Sequence, residues 1–326
     1  MGRNEIGSEF WEIPVKKENN GYFPEHTAWF LSGRCALQSI IADWGGKSVA
    51  LPSWLCESMI RPFLDAGVNV EFYSAFAPVE NLKTDAVLVM DYFGYIRQQE
   101  LPGYRGTVIR DITHSVFAKN HTDADYYFGS LRKWAGFWTG GFAWTADGRE
   151  LPAEQGDDRG YALLRQQAME AKRAYMAGEK EDKDFLQTFA AAEELLEQSG
   201  ALGAEERDIQ LAGVLDIDGM KLRRRGNAAC LLRELADIAV FPQLQAEDCP
   251  LFVPIRVPED LRDGLRRELI QQEIYCPVHW PLSADHKIRE EDKAIYQQEL
   301  SLICDQRYTV QDMKRIARVV NEFRKR

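Results

Sequence analysis

The sequence predicts an α/β protein in which a largely parallel sheet is covered on both faces and followed by a smaller C-terminal α+β unit. First, short apolar runs alternate with helical stretches through the first half: SVALPSW, VNVEFYS, DAVLVMDYFG, GTVIRD, DYYFGS and GGFAWT. Runs of this kind suit strands buried on both faces, in a three-layer architecture. Second, the chemically interesting polar residues cluster just after these runs, at strand carboxyl ends, where open α/β sheets place ligands. Third, the texture changes from Asp157, first to helices rich in Ala, Glu, Leu and Gln and then to a βαβ-like order in the last third.

Taken in order, residues 1–24 are polar and aromatic by turns and end in Phe23-Pro24. They read as an arm that packs on something else, with the C-terminal unit as a candidate. Ser32 stands at an N-cap, followed by Ala36, Leu37, Ile40 and Ile41 at helical spacing and by Gly45-Gly46 as the stop. The first turn, Ser32-Gly33-Arg34-Cys35, points backbone N–H groups at whatever lies before it, an arrangement that binds phosphate. A plain capped helix is the ordinary alternative. SVALPSW forms a strand ending at Pro52, and a helix from Leu55 to Ala66 stops at Gly67. DAVLVMDYFG carries Asp91-Tyr92-Phe93-Gly94 at its carboxyl end.

Beyond Asp157 the spacing predicts two helices broken near Gly178, with Phe185, Phe189, Ala192 and Leu196 as a core stripe. KLRRRGNAACLLRELADIA is a further helix. Its run Arg223-Arg224-Arg225 reads as a solvated or interfacial face, the alternative being one arginine beside an anionic ligand. LFVPIRV is a strand, PEDLRDGLRRELIQQE a helix and IYCPVHWPL a strand or extended segment. The tail, VQDMKRIARVVNEFRKR, is an amphipathic helix with Met313, Ile316, Val319 and Val320 on one face. The expected organisation is an arm (1–24), a large domain (25–220) and a small C-terminal domain (221–326).

Composition narrows the function. The chain has 326 residues, 45% apolar and 28% charged, which suits a soluble globular protein with a substantial core. The net charge of -11 argues against nucleic acid or an anionic membrane as main partner. Six scattered cysteines form no CxxC pair, so neither a metal site nor a disulfide scaffold is expected, and reduced thiols in a cytoplasm are the default. The opening MGRNEIGSEFWEI lacks an apolar signal region, and no apolar run reaches the roughly eighteen residues of a membrane span.

The chemistry concentrates in VIRDITHSVFAKNHTDADYYFGSLRKWAGFWTGGFAW, from Val108 to Trp144. One strand leads into Asp111, with His114 just beyond; the next ends at Gly129-Ser130 and is followed by Lys133. An acid and a lysine at neighbouring strand ends suit an aromatic cofactor aldehyde. The lysine amine can form a Schiff base, and the aspartate can keep a pyridine nitrogen protonated so that the ring acts as an electron sink. Each residue alone has an ordinary reading, Asp111 as a turn cap and Lys133 as a surface lysine. His114 and His279 are likewise ordinary as structural histidines.

These pieces in this order resemble the fold-type I pyridoxal-phosphate enzymes, more narrowly the DegT–DnrJ–StrS sugar aminotransferases, from about Phe30 to Thr145 and loosely beyond. SGRCAL (32–37) is similar to the family's Ser-Gly-Thr-x-Ala-Leu phosphate segment, with Arg34 in place of threonine. The resemblance thereby assigns the phosphate to the Gly33, Arg34 and Cys35 amides. LPSWLCES (51–58) lies where the family stacks a ring on the cofactor, with Trp54 or Cys56 at that position. Asp111-Ile112-Thr113-His114 matches Asp-x-x-Gln/His, which implies that Asp111 pairs with the pyridine nitrogen and His114 lies by the ring hydroxyl. Gly129-Ser130-Leu131-Arg132-Lys133 resembles the lysine segment, with Lys133 as the Schiff-base lysine and Ser130 toward the phosphate. HWPL (279–282) is similar to the substrate segment, which places His279 and Trp280 by the substrate, with Arg132 a further candidate for its anionic end. The usual serine five residues before the lysine is Phe128 here, and a Gly-x-Asn-Tyr-Arg segment is missing.

The resemblance implies pyridoxal 5'-phosphate, a small-molecule amino donor and carbonyl acceptor, and a homodimer. The expected reaction is transamination of a small carbonyl compound, a sugar among the candidates. A lyase or decarboxylase on the same scaffold and a non-catalytic binding protein are the alternatives.

Overall fold

A computed structural model describes residues 3–326 apart from Glu80, Gln98, Asn120, Thr122, Asp157 and Gln198. In chain order the elements are β1 (Ile6–Gly7), β2 (Ala28–Phe30), α1 (Gly33–Trp44), β3 (Ser48–Pro52), α2 (Glu57–Asp65), β4 (Asn69–Tyr73), β5 (Ala86–Met90), β6 (Thr107–Asp111), β7 (Tyr126–Ser130) and β8 (Gly141–Thr145). They continue with α3 (Tyr161–Ala177), α4 (Phe185–Glu197), α5 (Glu206–Gly213), α6 (Ile217–Leu235), β9 (Phe252–Arg256), α7 (Glu259–Gln271), β10 (Ile274–Tyr275), α8 (Lys293–Gln298), β11 (Glu299–Ile303) and α9 (Val310–Arg324).

Two compact units share the chain, and they interleave in sequence. One contains the segment ending at Glu5, Glu9–Gly45 and Tyr126–Ile217. Its strands run β2-β8-β7, both pairings antiparallel, with Phe30 opposite Gly141 and Ser130 also opposite Gly141 on its other side. Helix α1 starts at the extended N-cap Ser32 and stops at Gly45, whose φ of 65° is the left-handed conformation that glycine accepts without a Cβ penalty. Helices α3 and α4 pack on each other through Ala168, Met169, Tyr175, Phe185 and Phe189. Gly178 caps α3 at φ 79°, so the break near Gly178 and the Phe185-Phe189-Ala192-Leu196 stripe both appear.

The other unit contains Ile6–Ser8, Gly46–Asp125 and Asp218–Arg326. Here β4-β3-β5-β6 pair in parallel, with Met90 level with Asp111 at the carboxyl ends of β5 and β6. Val87, Val89 and Ala50 form a small core on this sheet. The last third has its own core: β9 pairs antiparallel with β11, and Leu265, Leu269, Met313, Ile316 and Val320 from α7 and α9 pack together with Val253, Ile255, Leu300 and Leu302. The arm contributes Ile6–Gly7 as β1, parallel to β10, and Ile6 enters this core.

The structure departs from the sequence reading at several elements. Strands β2 and β11 and helix α5 were not expected, and the parallel pattern gives way to antiparallel pairing at β2, β8 and β7. The arginine run is divided: Arg223 is exposed, whereas Arg224 is fully buried and donates to Gln306 Oε1 at 2.7 Å and to the carbonyls of Pro250 and Leu251. Those neutral acceptors make it a strut between α6 and the loop before β9. No described helix is long and apolar enough to cross a membrane.

Candidate active site

In the first unit, the segments 32–37 and 129–133 come together. The Ser32 hydroxyl accepts from the Cys35 amide at 3.2 Å, closing one first-turn donor, while the remaining amides of that turn face out of the helix start. Gly33 packs on the end of β7: a Cβ built on it would lie 3.5 Å from the Gly129 carbonyl oxygen and from Ser130 Cβ. Ser130 is buried, and Leu131–Lys133 forms a single 3-10 turn directly beyond it. That turn is pinned by Leu131 N donating to Gly140 O at 2.8 Å, with Gly140 at φ 115°. Lys133 is exposed, so its amine is open to an aldehyde. Arg132 turns away from solvent and hydrogen-bonds Glu193 on α4, with its guanidinium 5.7 Å from the Tyr161 ring centre. Cys35 is buried beside Ser32, and burial pushes its thiol above the ordinary range, as suits an inert packing residue.

In the second unit, Asp111 ends β6 with its side chain 3% exposed, and its Oδ1 accepts from Thr113 N at 2.7 Å. This local turn fixes the carboxylate and throws the chain toward His114, three residues on. His114 is buried against Phe93, ring centres 4.9 Å apart, and stacks on Trp280 at 5.6 Å and 22°. His279 is buried as well. Its amide donates to Glu299 Oε2 at 2.7 Å, and its Nδ1 lies 3.0 Å from Ser301 Oγ, both on β11. The two histidines of the sequence reading, His114 and His279, thus share one aromatic assembly with Trp280.

Trp54 differs from the expectation. Its indole is fully buried, stacked on Tyr92 at 4.7 Å and 17° and flanked by Phe76, Phe93 and Trp280. Its Nε1 donates to the His279 carbonyl at 2.9 Å. Enclosed by these rings, it reaches no solvent. Cys56, the other choice, is half-buried at the start of α2. Sequence reasoning missed Phe93 as the hub of this assembly. The signal was Phe93-Gly94 after an apolar run: Gly94 stands at φ 81°, and a Cβ there would meet the Cys249 carbonyl oxygen at 1.9 Å. It also missed Tyr161, Arg165 and Glu193, which surround Arg132 in the first unit.

The donor set fits a phosphorylated pyridine aldehyde. Taken unit by unit, the helix start beside a serine and the accessible lysine of the first suit a phosphate and an aldehyde, and the buried carboxylate of the second suits a protonated ring nitrogen.

No protein-family model matches the sequence, and no curated protein matches it. Solved structures do. The aminotransferase TlmJ from Streptoalloteichus hindustanus is 17% identical, with a TM-score of 0.62 over 92% of this chain and 86% of that one. The chain has the aminotransferase fold. A DegT DnrJ EryC1 StrS aminotransferase from Brucella abortus is 16% identical with a TM-score of 0.61, again over 92% and 86% of the two chains. NtdA from Bacillus subtilis, with bound cofactor PMP, is 14% identical with a TM-score of 0.60, over 92% of this chain and 73% of its own. The aminotransferase fold accords with the expected fold-type I α/β class.

Proposed function

We propose that the chain is a pyridoxal-phosphate-dependent aminotransferase, moving an amino group between an amino acid and a small carbonyl compound, a sugar among the candidates. One observation carries the reading: in a chain with the aminotransferase fold, a buried acid ends β6 and an accessible lysine stands one turn beyond β7. The solved aminotransferases that share its fold, one of them with bound PMP, support it. When bound, the cofactor supplies an electron sink for the bond broken at the substrate's α-carbon.

The residues divide the remaining work. Lys133 in its neutral form is the nucleophile and, once displaced, the base that moves the proton at that carbon. Asp111 would pair with the pyridine nitrogen, and His114 would meet the ring hydroxyl. Gly33, Arg34, Cys35 and Ser130 hold the phosphate, Trp54 steadies the aromatic assembly, and His279 and Trp280 meet the substrate. The division into a cofactor domain (25–220) and a small domain (221–326), a closed two-fold dimer and a cytoplasmic location belong to the same reading; six unpaired cysteines suit a reducing compartment.

Phe128 favours a second reading, a protein that holds the cofactor without turnover, because it is core-buried where the family places a phosphate-binding serine. Mass spectrometry of the cofactor-loaded protein with a panel of amino acids separates the two. Conversion of the aldehyde to the amine form by at least one donor is expected. A bound but unchanged cofactor with every donor contradicts the transaminase, and release of carbon dioxide or of an aldehyde points to a decarboxylase or lyase.

A further inference from the structure

Arg165 on α3 is a fully buried guanidinium whose polar contacts are all loose. Its Nη2 lies 3.4 Å from the Phe137 carbonyl oxygen, and its Nη1 lies 3.6 Å from Glu9 and 3.7 Å from Glu193. Its Nε has no hydrogen-bond partner among the described residues. Taking a guanidinium out of water costs several kcal/mol, which short charge-assisted hydrogen bonds normally offset. Here the bonds are missing. One helical turn earlier, Tyr161 is equally buried, and its hydroxyl also has no partner among the described residues. The same holds for the Nε atoms of Arg34 and Arg132.

These side chains surround a single carboxylate. Glu193 hydrogen-bonds Arg132, and although burial opposes its ionisation, Arg132, then Arg165, Lys133 and Arg34, hold its carboxyl below the ordinary value. Yet the Glu193 side chain is 48% exposed. A carboxylate that solvent can reach, bridging the buried Arg165 and the mostly buried Arg132, is one that another carboxylate can replace. Burial pushes Tyr161 up to about 12, so its hydroxyl stays protonated and able to donate. Arg132, Arg165, Arg34 and Lys133 stand against the two carboxylates of Glu193 and Glu9, a positive balance that suits an anion.

We propose that Arg132, Arg165 and Tyr161, with Arg34 at the rim, form a binding site for the carboxylate of a small molecule, and that Glu193 is its displaceable internal counter-ion. Beside Lys133, that molecule is the amino donor; this identification rests on the proposed transaminase reading, whereas the carboxylate site does not. The arginine forks supply paired donors in one plane, and the tyrosine hydroxyl adds a third, as a carboxylate's two oxygens require.

The test is calorimetric titration of the full chain at constant ionic strength with succinate, succinamide and inorganic phosphate. Neither cofactor nor turnover is needed, so failure here leaves the transaminase reading standing, and failure of that reading leaves this site standing. Succinate is expected to bind saturably and succinamide not at all. Tyr161→Phe should weaken succinate about tenfold, the loss of one hydrogen bond to a charged group. Glu193→Gln should tighten it several-fold, because the internal competitor loses its charge. Absence of saturable succinate binding in both the parent and a cooperatively melting Glu193→Gln overturns the proposal. So does an affinity unchanged by Tyr161→Phe, or phosphate binding that outcompetes succinate.

Discussion

Asp111 is oriented by its own chain: the Thr113 amide fixes one carboxylate oxygen at 2.7 Å. The Asp111→Asn variant should therefore keep the fold, since an amide oxygen accepts the same bond, and lose at least about a hundredfold in turnover, because an amide cannot keep the ring nitrogen protonated. Melting temperature and amino-transfer rate, measured together, check this; a variant with parental turnover removes Asp111 from that role. The places of Asp111 at the end of β6 and of Lys133 just beyond β7 were legible because short apolar runs precede both. Trp54 was not, because a sequence shows that an aromatic ring is present but not that Tyr92, Trp280 and their neighbours bury it. Glu193 was hidden among the glutamates of α4, where only three-dimensional packing distinguishes the one that meets Arg132.

At the scale of elements, helices announced themselves through caps and stripes. Ser32 and Gly45 bound α1, and Met313, Ile316, Val319 and Val320 face the core from α9. The three-residue β2 is too short to show a pattern. Arg224 was misread because successive helical residues turn by about 100°, so a run of three cannot lie on one solvated face. A buried ion cluster ties the segment before β1 to α3: Glu5 meets Lys172 at 2.5 Å and Lys183 at 2.6 Å. Burial alone would raise the Glu5 carboxyl, but the two lysines outweigh it, and it lies below its ordinary 4.5. A carboxyl lowered in the folded state stabilises fully above its unfolded value, and that stabilisation fades as pH falls through the folded one. Lys172→Ala should thus cost about 2 kcal/mol near pH 7 by removing one of the two lysines that compensate the buried carboxylate. The gap to the parent in chemical denaturation should narrow below about pH 4, where the carboxylate is neutralised. A gap that stays constant across that range would contradict the assignment.

At the scale of the whole molecule, the order of strands and helices was legible, whereas the grouping of Gly46–Asp125 with the C-terminal third was not. Contacts between segments distant in sequence leave no local pattern to read. The proposed function carries an expectation at this scale too: sedimentation should give a dimer of a 37.3 kDa chain, and a monomer that still binds cofactor tightly would contradict it. The central claim is that this chain bears its cofactor on Lys133. Borohydride reduction of the protein loaded with pyridoxal phosphate, followed by peptide mapping, tests it most directly. The account predicts one stable pyridoxyl label, on the peptide containing Lys133; a label on another lysine, or none, would contradict it.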